Sequence, residues 1–197
     1  VPATPVFGTR FFHYSVAIDS TDSLVRLLAA YGTTDAAGLV PGGFRTLLRD
    51  GAQRVILEIT DDTTSLTANN FETMLFALSP PAFGTSAAAR DYTFHAIMGI
   101  VEKAGMASAA YESSEPAVGT KCSSSANPSA EYEDLARRTG GLRFPVCETA
   151  SYDAVFLRIA QGVVAGSQIQ CSFDVPAPTP GTVIDVSRAL LTYDGNG

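Results

Sequence analysis

The 197-residue chain has no tryptophan, only two histidines and three cysteines, and 13 basic residues against 20 acidic ones. Each shortage closes a class of function. Without tryptophan one usual platform for stacking sugars is gone, although tyrosine and phenylalanine remain. A net charge of −7 offers no basic face to neutralise phosphates, which argues against sequence-independent nucleic-acid binding. No G-x-S-x-G elbow is present, so a serine hydrolase is disfavoured. Neither G-x-G-x-x-G nor a G-x-x-x-x-G-K-S/T phosphate loop occurs, so a nucleotide enzyme lacks its sequence support. There is no run of about eighteen or more apolar residues, hence no expected membrane-spanning helix.

What is present is an apolar fraction of 46%, enough to bury the core of one sizeable domain. Strand-like and helix-like segments alternate. Arg10 to Ile18, Val55 to Ile59, Tyr92 to Val101 and Leu142 to Val146 read as strands. Leu24 to Tyr31, Thr67 to Leu78, Glu131 to Arg138 and Ser151 to Val164 carry helical spacing, with Phe71, Met74, Leu75 and Leu78 expected on one buried face and Val155, Phe156 and Ile159 on another. Phe44 to Arg49 reads as a short helical piece. This order predicts a layered α/β fold with a mainly parallel sheet over residues 1–165. Residues 166–197 are expected to add a proline-rich β-hairpin or tail, with a half-buried strand at Ser167 to Val175. Gly105 to Pro128, rich in serine, alanine and glycine, reads as an exposed, mobile insertion. The ends, Val-Pro-Ala-Thr-Pro and Asp-Gly-Asn-Gly, suggest a trimmed form.

Ligands of parallel α/β sheets gather beyond the carboxyl ends of the strands. Two acidic loops are expected there: Asp19-x-Thr21-x-Ser23 and Asp61-Asp62 in the stretch RVILEITDDTTS. Hard divalent cations such as magnesium or calcium take oxygen ligands, so Asp19, Thr21, Ser23 and Asp61 form a candidate metal set. The competing reading is structural. Asp19 to Asp22 resembles a helix cap, and Thr63, Thr64 and Ser65 would cap the helix that follows. His13 and His95 both fall within expected strands and read as packed residues; a hydrolase pairing His95 with Asp61 lacks a nucleophile signature. Glu131, Glu133 and Asp134 read as a solvated face, with Arg137 and Arg138 pairing one turn on. The three cysteines lack zinc-site spacing. A Cys122–Cys147 disulfide is favoured over free thiols by the logic of secreted chains, which leaves Cys171 as a buried thiol or the partner of a cysteine elsewhere.

The segments RVILEITDDTTS, YTFHAIMGI, YEDLARRTGGLRFPVC, YDAVFLRIAQGVV and QIQCSFDVPAPTPGTVIDVSRALLTYDGNG, in this order, resemble the C-terminal part of a secreted bacterial von Willebrand factor A-like domain. Such domains occur in large extracellular proteins of myxobacteria and their relatives. The resemblance covers roughly residues 20–197 and implies a Rossmann-like three-layer sandwich. It also implies a non-enzymatic role outside the cell, at its surface or in the periplasm: adhesion, protein–protein binding, or service as a structural subunit. Asp61 matches the aspartate of the family's metal-ion-dependent adhesion site. The family's D-x-S-x-S strand lies farther upstream of that aspartate than Asp19 does here, so the resemblance implies a domain lacking its first strands. Its open sheet edge would then be covered by another chain.

Overall fold

The computed structural model describes residues 8, 11–104, 109–166 and 180. The chain divides into two compact units, Val1–Ser167 and Gln168–Gly197. The description below concerns the first, because the expected hairpin, the strand at 167–175 and Cys171 lie outside the described residues.

Three strands form a parallel sheet: β1 (Val55–Ile59), β4 (Thr93–Met98) and β5 (Arg143–Pro145), in the order β1-β4-β5. Their crossovers carry the helices α2 (Ala68–Phe76) and α3 (Ala130–Arg138), with α1 (Ser23–Ala30) before the sheet and α4 (Tyr152–Gly166) after it. A two-stranded antiparallel ribbon, β2 (Gly84–Ser86) with β3 (Ala89–Arg90), sits in the first crossover. Nothing in its sequence alternates, and it was not expected. The alternation of strand and helix thus does encode a mixed α/β fold with a parallel sheet.

Side chains on β4 alternate between two apolar clusters, as strand geometry requires. Phe94, Ala96 and Met98 join Ile56 of β1 and Leu24, Phe71 and Leu135, the buried stripe of α1 to α3. Ile97 joins Phe144, Val155 and Ile159 of α4, with Leu57 packed against them. Within α2, Phe71 and Leu75 are fully buried, whereas Met74 is 49% exposed; within α4, Phe156 is 46% exposed. Both had been placed inward, and the buried stripes are narrower than the apolar residues alone suggest. Leu78 is half-buried, beyond the end of α2.

The largest correction concerns Arg10 to Ile18. Its described part, residues 11–18, holds one isolated bridge residue, Phe12, and no strand. Aromatic and β-branched composition favours a strand only where a neighbour completes the ladder. Here the segment is tied instead to the loop at 33–40: Tyr14 donates to the Thr33 carbonyl (2.5 Å), Ala36 N–H to the Ser15 carbonyl (2.8 Å), and Ser15 N–H to the Asp35 carboxylate (3.3 Å).

The insertion after β4 is also unlike its expectation. Residues 109–128 are strapped to the body by a fully buried Arg143 on β5, whose guanidinium donates to the carbonyls of Glu112 (2.8 Å), Glu115 (3.0 Å) and Pro116 (3.1 Å). Its charge is met by Glu133 of α3 at 2.6 Å, and that carboxylate also accepts the Val118 N–H at 2.7 Å. Glu133 is 2% exposed, so the expected solvated face of α3 is wrong at this residue. Asp134 does pair with Arg138 one turn on. Cys122 and Cys147 form the expected disulfide, their sulfurs 1.93 Å apart, pinning the insertion to the end of β5.

Candidate functional site

The carboxyl end of β1 opens into the stretch Thr60 to Ser65. Thr60 N–H continues the ladder to the Ile97 carbonyl (3.0 Å), and then the chain turns on its own side chains. Asp62 N–H donates to the Thr60 hydroxyl (3.2 Å), Thr63 N–H to the Asp62 carboxylate (2.8 Å), and Leu66 N–H to the Thr64 hydroxyl (3.2 Å). The residue capping α2 is Thr67, which accepts the Asn70 N–H at 3.3 Å; Thr63 to Ser65 serve the turn instead.

The two acidic loops do meet. Ser65 N–H donates to the Thr21 carbonyl at 2.8 Å, which sets residues 19–23 beside residues 61–65. Their polar groups are used differently from a converging ligand shell. Asp19 donates its N–H to the Asp22 carboxylate (2.8 Å), and the exposed Asp61 gives its carbonyl to the N–H groups of Ala126 (2.8 Å) and Asn127 (3.1 Å). Asp22 stands at the start of α1 without a side-chain cap bond and pairs with Arg26. Among the described residues no group of three or more His, Cys, Asp or Glu is arranged to hold a metal ion.

Ser23 leads to a residue that the sequence reading passed over. Its hydroxyl lies 2.7 Å from the Tyr132 hydroxyl and stands beside Glu58 of β1. Burial pushes the Glu58 carboxyl up to about 7, against the lowering effect of the nearby Ser23 hydroxyl. Tyr132 is buried too, its phenol pushed up to about 12 chiefly by that burial. A carboxyl, a serine hydroxyl and a phenol therefore line up beneath the loop. The available signal was an acid inside an apolar strand run, Leu57-Glu58-Ile59.

Glu58 also faces a groove of about 580 Å³ beside β1. One wall is α1, through Leu27 and Ala30; the irregular segment contributes Tyr14, Val16 and Ile18; and the floor is β1 itself. Arg49 and Arg54 line it near the start of β1. The Nε of Arg54 is buried with no hydrogen-bond partner. Exposed Ile18 and Ile59 add apolar surface nearby.

β1 is an edge strand. The Arg54 carbonyl accepts the Thr93 N–H (2.9 Å) and Thr60 N–H reaches Ile97, so even-numbered residues turn toward β4. By the two-residue period of a strand, the N–H and C=O groups of Val55, Leu57 and Ile59 turn outward. Among the described residues nothing pairs with them. His95, on β4, accepts the Leu142 N–H at 2.9 Å on Nδ1; burial lowers its pKa, so it is a packed strand residue as expected. No family model, curated protein or solved structure matches the chain.

Proposed function

We propose that this chain is a non-enzymatic extracellular binding or structural domain of von Willebrand A-like character, a Rossmann-like sandwich whose sheet is completed by another protein chain. One observation carries the reading: the open parallel edge of β1, where the outward N–H and C=O groups of Val55, Leu57 and Ile59 have no strand partner among the described residues and a groove runs alongside Val55 to Glu58. Natural sheets cover, bulge or charge such edges, because an unpaired edge recruits other chains. The disulfide between Cys122 and Cys147 is in keeping with an oxidising, extracellular or periplasmic setting. Native mass spectrometry with size-exclusion chromatography on protein from its source tests this. A defined complex in which β1 is covered is expected; a stable, monodisperse monomer would overturn it.

A second reading, a magnesium- or calcium-dependent adhesion module, draws on the contact between residues 19–23 and 61–65. In it Asp19, Thr21, Ser23 and Asp61 would hold the ion, the Ser23 hydroxyl giving up Tyr132 to do so. Calorimetric titration with either cation should then release or absorb heat, and Asp61→Ala should abolish the signal. No heat, with partner binding unchanged in that variant, would remove this reading.

A further inference from the structure

The groove has a polarity as well as an open edge, and this narrows what fits it. We propose that it takes an extended segment of a partner polypeptide, added beside β1 as a fourth strand, apolar where it faces Leu27 and Ile56 and bearing a carboxylate opposite Arg54. This rests on the protein-binding reading and specifies the chemistry of the partner.

Three observations support it. The outward groups of Val55, Leu57 and Ile59 form a row at fixed spacing, alternately donating and accepting. A compact small molecule would leave most of that row unpaired, whereas another backbone at strand distance satisfies it, and side-chain pockets then supply specificity. The groove is lined by Leu27, Ile56 and Leu48, so alternate apolar side chains of the segment have a place to be buried.

Charge sets the rest. Arg54 keeps a buried Nε without an acceptor, and the exposed Arg49 makes no ion pair among the described residues. A buried donor left unpaired costs roughly 1–3 kcal/mol, and a carboxylate on the incoming strand removes that cost. At the other end stands Glu58, so a second carboxylate there would be repelled. A second copy of this chain fits less well. Because α1 overhangs the groove through Ser23, Leu27 and Ala30, a two-fold pairing of β1 with β1 would bring both copies of α1 over the same seam.

Hydrogen–deuterium exchange of the full chain tests the inference with capped heptapeptides of alternating valine and threonine. One carries aspartate at its first position, one carries it at its last, and one carries lysine at both. At millimolar concentration one aspartate peptide should slow exchange at the Val55, Leu57 and Ile59 amides at least tenfold, and the lysine peptide should bind at least tenfold more weakly. Arg54→Met should erase that preference. Arg49→Met, at an exposed position, should reduce it in a protein whose fold is undisturbed. Unchanged exchange at the three amides, or equal binding of aspartate and lysine peptides, would overturn the proposal. A defined native complex whose partner covers another surface would sink the groove while leaving the protein-binding reading intact. Peptide protection of β1 in a chain that is a monomer in its source would do the reverse.

Discussion

Replacing Glu58 by glutamine should stabilise the protein in a strongly pH-dependent way. The carboxyl is half-buried beside Ser23, and burial raises it from 4.5 to about 7. A carboxyl whose folded value exceeds its unfolded value holds its proton more tightly when folded. Its favourable contribution is therefore complete below 4.5 and is lost as pH rises through about 7. Above that, the fold carries a buried charge whose cost is about 3 kcal/mol, at about 1.4 kcal/mol per pH unit. Glutamine has nearly the same shape and never ionises. Urea unfolding of both proteins from pH 4 to 8.5 should give equal stabilities at the acid end. Toward pH 8 the gap should widen to about 3 kcal/mol in favour of Glu58→Gln. A gap that is constant across this range, or that opens on the acid side, would refute the account of Glu58 as a desolvated carboxyl.

Truncating Arg143 to alanine leaves Glu133 buried and uncompensated and should cost about 3–5 kcal/mol in chemical denaturation. Amide exchange at residues 112–118 should accelerate in the same variant. Reducing the disulfide, whose cysteines lie 25 residues apart, should lower stability by about 3.5 kcal/mol on the chain-entropy account, read as a fall in midpoint with and without reductant. Adjacent glycines should differ sharply in what substitution costs. A Cβ on Gly141 would lie 1.7 Å from the Phe94 carbonyl oxygen, so Gly141→Ala should fail to accumulate as folded protein. Gly140, at φ +76° with open space around it, should lose only about 1–2 kcal/mol on the same change, measured by thermal melting.

The parallel sheet was legible because its evidence is local: apolar runs such as Val55-Ile56-Leu57 and helical spacing such as Leu24-Leu28 are written in consecutive residues. What was misread depends on residues far apart. The segment at 11–18 has the composition of a strand but meets Asp35 and Thr33 where a ladder would have to be. Glu133 looks like its solvated neighbours until Arg143, ten positions on, arrives beneath it. Glu58 was hidden by its setting, since a strand reading assigns it a face and not a solvent. The loops at 19–23 and 61–65 do lie side by side, joined by the Ser65 N–H to the Thr21 carbonyl. The Ser23 hydroxyl is turned to Tyr132, a partner 109 positions away that no spacing rule reports.

Arg143 has a consequence for how the insertion can change over time. It holds residues 112–116 through three main-chain carbonyls, much as a structural cation would gather oxygens, so it recognises the path of the loop and not its side chains. Substitution is then inexpensive at Ser113 and Ser114, provided the length and course of the stretch still bring those oxygens to the guanidinium, whereas Glu115 is held in its own right by Lys103 and by the Glu112 N–H, each at 2.6 Å. One fixed charge in the interior thereby gives the outer surface of the protein licence to diversify.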